Sequence, residues 1–319
     1  MTGYDRPALV AAARKSIARG SKSFAAASRL FDPVTRERAW LLYAWCRAAD
    51  DIADGQDHGS AITRTADPQA RLATIRALTG AALRGEPTGR PAFDALGVVA
   101  AECAIPAALA MDLVEGFALD ADGFSPRDET ELLTYCYHVA GAVGVMMALV
   151  MGVSPDDRAT LDRACDLGLA FQLANIARDV GEDHAAGRRY LPAEWLAEAG
   201  VPPDGVLRAE YRARADVLAQ RLAASAARYE ASARIGAAAL PYRSAWAVLA
   251  AAGIYGDIAR EVGRRGRAAW DGRVVTSRAA KLGWIVRAAW QAARRGDISD
   301  RRSREGLWTR PPADAPPAA

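Results

Sequence analysis

Apolar residues recur every three or four positions over long stretches of this chain, and strict apolar–polar alternation is nearly absent, so the pattern predicts helices and not strands. Glycine, proline and polar residues gather at 55–68, 85–91, 120–130, 152–157 and 200–205, which are the expected breaks between helices. Two apolar segments free of proline, AWLLYAWCRAA (39–49) and LGLAFQLANIA (167–177), each run directly into acidic sequence. A third, 135–153, is uncharged and long enough to span a bilayer. It contains His138, ends in a turn and has no matching second span, so it reads as a buried central helix. Its small residues Ala140, Gly141 and Gly144 are expected to leave room beside the backbone, where an apolar ligand lies in a helical bundle.

Composition narrows the class. The 319 residues are 51% hydrophobic, enough for a large core, and no linker divides them, so one domain over 1–295 is expected. The stretch 296–319, rich in arginine and ending PPADAPPAA, lacks apolar periodicity and is expected to be a disordered tail. Cys46, Cys103, Cys136 and Cys165 form no CxxC pair, and with only His58, His138 and His184 a zinc site has no support. No serine sits in GxSxG and no GxGxxG follows a strand. The N-terminus has no apolar signal segment, which places the chain in a reducing cytoplasm. Residues 260–281 are rich in arginine, but a net charge of only +3 and no visible nucleic-acid module argue against DNA or RNA. Attraction to anionic lipid fits these cations better.

The chemistry lies in two acidic clusters. On one helix Tyr43, Arg47, Asp50 and Asp54 share a stripe; on another Gln172, Asn175, Asp179 and Asp183 do. Like charges four apart destabilise a bare helix by about 0.2–0.5 kcal/mol per pair. Gly55 and Gly187 place both clusters near helix C-termini, where the macrodipole disfavours anions. A divalent cation is the natural missing partner, and Mg²⁺ is held by one or two carboxylates plus substrate phosphates. Asp51 lies about 100° round the helix from Asp50, which leaves its role open.

The motifs GSKSF (20–24), LYAWCRAADDIAD (42–54), YCYHVAGAVG (135–144), FQLANIARDVGED (171–183), RRYLP (188–192) and RVVTSRAAKL (273–282) together resemble the squalene/phytoene synthase family. The resemblance implies a single-domain, all-α isoprenoid synthase bundle with a central cavity. It implies an Mg²⁺-dependent prenyltransferase, Mn²⁺ being the expected substitute, that needs no NADPH. The substrate implied is geranylgeranyl diphosphate, with phytoene as product. Asp50, Asp54, Asn175, Asp179 and Asp183 then become metal ligands, and Arg47, Arg178, Arg189 and Arg273 grip diphosphate. Tyr43, Tyr135 and Gln172 would line the reacting centre, where an aromatic face stabilises a carbocation. Ser21 and Ser23 would close the phosphate site, with helix capping as the alternative. The same motifs could serve farnesyl diphosphate, giving dehydrosqualene or squalene, and a non-catalytic helical binding protein is the reading from another class. Association with the inner membrane surface is an expectation of lipid substrates, and the oligomeric state is not readable.

Overall fold

A computed structural model describes residues 5–20, 27–55, 67–295 and 304–311. All regular elements among them are helical: α1 (Arg6–Gly20), α2 (Pro33–Ala53), α3 (Pro68–Leu83), α4 (Pro91–Cys103), α5 (Ala107–Ala121), α6 (Glu129–Cys136), α7 (Ala142–Val150), α8 (Arg158–Ala185), α9 (Ala193–Glu198), α10 (Arg212–Gly236), α11 (Tyr242–Arg265) and α12 (Arg278–Ala293), with short 3₁₀ turns. The all-α expectation is met, as are the predicted breaks at 85–91, 120–130, 152–157 and 200–205, while most of the break predicted at 55–68 lies outside the described residues. Proline starts α2, α3 and α4, where its missing N–H costs nothing. Asp32 caps α2 by accepting from the Val34 and Thr35 N–H groups, both at 3.0 Å. Sequence reading missed the break between α4 and α5, where Ala104 adopts φ +50° ahead of Ile105-Pro106. A left-handed alanine carries no sequence signal.

The described residues group into two compact units that do not follow chain order. One holds the described residues up to Asp122 with Val145–Arg158 and Pro311; the other holds Gly123–Gly144 and Ala159–Arg310. In the first, α2 packs on α1 and α4, and α3 on α4 and α5. Trp45 of α2 is fully buried and donates its indole N–H to Thr79 at 3.3 Å, satisfying the one polar atom that its burial would strand. In the second unit α10 packs on α11, and α11 on α12.

The stretch Glu129–Val150 is one helix long and apolar enough to cross a membrane, and most of it is buried within the protein, as a core helix is. A π-helical turn, Tyr137–Gly141, joins α6 to α7. The room expected beside its small residues is filled by protein. A Cβ on Gly144 would stand 2.4 Å from the Ala164 carbonyl oxygen, and one on Gly168 would stand 2.3 Å from that of Ala140. These glycines let the backbone of this helix touch that of α8, so they serve helix contact and not a prenyl chain.

The tail expectation also needs correction. Arg304 forms a two-pronged pair with Asp166, 2.7 and 2.8 Å, and Arg310 donates to Asp162 at 2.8 Å. The Trp308 N–H bonds the Tyr229 hydroxyl at 3.2 Å, and the Trp308 ring lies 5.5 Å from that of Tyr137. Residues 304–311 are therefore anchored to α8, α10 and the π turn. Polar anchoring leaves no apolar periodicity, which is why the sequence pattern does not reveal it.

Candidate active site

The last turns of α2 present the first cluster. Arg47 reaches Asp50 at 3.2 Å three residues on and Asp51 at 2.5 Å four residues on, so one guanidinium bridges both carboxylates. Asp51, whose role the helical stripe left open, is the tighter partner. Burial, followed by the Asp54 carboxylate, pushes the Asp50 pKa up to about 6, and Asp120 at the end of α5 adds negative charge. Asp54 is exposed at the C-cap, where Gly55 turns the chain at φ +69°. Tyr43 is half-buried and its phenol is raised by burial. Burial likewise pushes the Cys46 thiol up to about 12, which makes it inert as a nucleophile. Ser21 and Ser23 lie outside the described residues.

The second cluster lies on α8. Leu173, Ala174, Ile176, Ala177 and Val180 are buried, while Gln172, Asn175, Arg178, Asp179 and Asp183 are half-exposed on the opposite side. Arg178 grips its neighbour Asp179 through two hydrogen bonds of 2.7 and 2.5 Å, and Arg273 approaches the same carboxylate at 3.6 Å and Glu182 at 3.5 Å. The cation holding Asp183 is Arg188, at 2.9 and 3.1 Å, while Arg189, expected to grip diphosphate, lies 3.5 Å from Asp204. The reason is the helix end. Gly187 at φ +77° lets its own N–H bond the His184 carbonyl at 3.1 Å and the Arg188 N–H bond the Asp183 carbonyl at 2.8 Å, a Schellman turn that folds residue 188 back over residue 183. Gly187 was the available signal for Arg188, but the acidic stripe stops at the helix end, and Arg189 was named only by the family resemblance. Burial raises the Asp183 pKa against the opposing effect of Arg188.

Tyr135, only 3% exposed, is stacked between Phe124 (ring centroids 5.1 Å apart) and Tyr190 (4.9 Å). With both ring faces covered, it offers a ligand its edge and not the π-face that was expected to meet a carbocation. Neither Phe124 nor Tyr190 was found from the sequence, because the stack joins segments distant along the chain. Tyr190 also lines a pocket with Asp183, His184, Arg188 and Arg189 over apolar residues including Ile176 and Val206. The pocket thus sets two arginines and a carboxylate beside an apolar wall.

The donor set suits Mg²⁺. Both clusters offer hard oxygen donors without thiol or imidazole, and no three His, Cys, Asp or Glu side chains converge as a closed metal site among the described residues. One or two carboxylates completed by phosphate oxygens is how Mg²⁺ is ordinarily held.

Comparison with known proteins shows what the chain is similar to. The squalene/phytoene synthase family model matches residues 17–280. The chain is 48% identical over 303 residues to a 15-cis-phytoene synthase of Paracoccus sp., covering 95% of this chain and 98% of that one. It is 45% identical to a phytoene synthase of Pseudescherichia vulneris, with 96% and 99% covered. Among solved structures, a dehydrosqualene synthase in complex with ligand superposes with a TM-score of 0.76 at 27% identity, covering 89% of this chain and 96% of the other. A squalene synthase from Alicyclobacillus acidocaldarius shares the fold at a TM-score of 0.71 and 23% identity, with 82% and 95% covered. The chain belongs to the squalene/phytoene synthase family, a family of all-helical prenyltransferases.

Proposed function

We propose that the chain joins two molecules of geranylgeranyl diphosphate head to head to form phytoene, a carotenoid precursor. The observation that carries this reading is the presence of both arginine-clasped aspartate clusters, on α2 and on α8, in a chain 44–48% identical to phytoene synthases. In this reaction one diphosphate departs with its C1–O bond, and the double bond of the second substrate attacks the resulting allylic carbon. Proton loss closes a cyclopropylcarbinyl diphosphate. Cleavage of the second C–O bond, rearrangement and loss of another proton give the symmetric hydrocarbon, so no NADPH is consumed.

Asp50, Asp54, Asn175, Asp179 and Asp183 would hold Mg²⁺, or Mn²⁺ in its place, which supplies charge neutralisation for the leaving diphosphate. Arg47, Arg178, Arg189 and Arg273, together with Arg188, each now on a carboxylate, present the fork that a diphosphate accepts in two-pronged fashion. In this reading Gln172 of α8 and half-buried Tyr43 of α2 border the substrate. We assign the enzyme to the cytoplasm, meeting its lipid substrate at the inner surface of the membrane.

The test is incubation of purified protein with geranylgeranyl or farnesyl diphosphate and Mg²⁺, without NADPH, followed by identification of the hydrocarbon. Phytoene from the C20 substrate is expected. Dehydrosqualene formed faster from the C15 substrate would overturn the chain-length assignment, and no hydrocarbon from either would overturn the reaction.

A further inference from the structure

The arginines of 260–265, read from sequence as a lipid-attracting group, are largely neutralised within the chain. Arg260 pairs with Asp257 and Glu230, both at 2.8 Å, and Arg264 and Arg265 share Glu261 at 2.7 and 2.5 Å. Arg267 pairs with Asp271 at 2.5 Å. The surface that stands out lies further on. Leu282, Val286 and Trp290, spaced four apart on α12, are 63%, 66% and 58% exposed, and Val275 just ahead of the helix is 76% exposed. Only Ala288 and Ala292 of α12 are fully buried.

This apolar stripe has a cationic border, and the carboxylate beside it, Asp257 of α11, is occupied by the Trp284 indole N–H and Arg260. The helix sequence RAAKLGWIVRAAWQAA contains no Asp or Glu. Arg278, Arg287 and Arg294 have no carboxylate partner among the described residues. Arg287 lies 4.8 Å over the Trp284 ring and Arg294 4.3 Å over that of Trp290, so the cations are held beside the stripe.

We propose that α12 lies in the headgroup region of an anionic bilayer, with Leu282, Val286 and Trp290 entering the acyl boundary and Arg278, Arg287 and Arg294 meeting lipid phosphates. A tryptophan and aliphatic residues on one face, bordered by arginines, is the pattern of an interfacial helix. A second copy of the chain fits less well. A two-fold contact would set these arginine rows against each other, and the exposed stripe of three large side chains falls short of the roughly 800 Å² per partner of a stable interface. The proposal rests on the membrane location given above and is independent of the reaction, since binding is measured without substrate.

The test is co-sedimentation of the full chain with phosphatidylcholine vesicles and with vesicles containing roughly 30% phosphatidylglycerol. Binding to the anionic vesicles is expected to be at least about tenfold tighter and to weaken at about 1 M salt, where the Debye length is ~3 Å. The double variant Leu282→Glu/Trp290→Glu should lose vesicle binding while keeping its helical circular dichroism and its turnover of detergent-dispersed substrate. Arg287→Gln/Arg294→Gln should bind anionic vesicles about as weakly as neutral ones. Equal binding to both vesicle types, or unchanged binding by the Leu282→Glu/Trp290→Glu variant, overturns the proposal. So does a wild-type dimer that Leu282→Glu converts to monomer, because the stripe would then be a protein interface.

Discussion

Arg47 bridges two carboxylates of its own helix, and that geometry sets two expectations. Arg47→Lys keeps the charge but offers one ammonium where a planar fork spans Asp50 and Asp51. Its kcat/KM is expected to fall at least about tenfold, equivalent to ~1.4 kcal/mol of transition-state stabilisation, with helix content unchanged. A wild-type value would make the arginine an ordinary surface cation. The second expectation concerns Asp50, whose pKa rises from 3.8 to about 6 in the folded chain. Between those values the native state binds more protons than the unfolded one, so stability falls as pH rises through this window and the penalty stays constant above it. Without divalent cation, Asp50→Asn should therefore raise the Tm at neutral pH and flatten its slope across the window, while abolishing turnover. A neutral-pH Tm below wild type would show that the carboxylate contributes to folding.

At the scale of helices, glycine has two separate uses here. Gly187 ends α8 so that Arg188 returns over Asp183, and Gly144 and Gly168 remove side chains where two backbones meet. Sequence reading expected Gly144 to make room for substrate, but the space belongs to the carbonyl of Ala164. Gly144→Ala is therefore expected to destabilise by about 1–3 kcal/mol through overpacking, seen as a lower urea midpoint. The ratio of kcat/KM for C20 and C15 diphosphates should stay at its wild-type value. A selective loss of the C20 substrate would restore the tunnel role.

For the molecule as a whole, the segment 304–310 is anchored within the second unit. Asp166 is fully buried, and Arg304 is its two-pronged partner, with Ser232 donating a further hydrogen bond. Breaking such a pair from one side leaves a buried charge uncompensated and costs about 3–5 kcal/mol. Arg304→Ala should lower the Tm by several degrees, and Asp166→Asn in the Arg304→Ala background should recover much of the loss, since it removes the stranded charge. Equal Tm values for wild type and Arg304→Ala would mean that the segment is not held in solution.

Helix positions, helix ends and the two acidic stripes were legible in the sequence because each depends on neighbours within about four residues: apolar periodicity, proline at helix starts, aspartate caps and glycine at positive φ. Asp50, Asp54, Asp179 and Asp183 were identified for that reason, and so was the arginine beside each stripe on its own helix. Contacts between segments distant in sequence were decided only by the tertiary structure. Side chains that meet through packing leave no mark in local spacing, and so Phe124 and Tyr190 closing over Tyr135, α8 filling the space beside Gly144, and Arg304 reaching Asp166 could not be read from the chain. Exposure belongs to the same class: α11 packs against the other face of α12, and Leu282, Val286 and Trp290 are left turned to solvent.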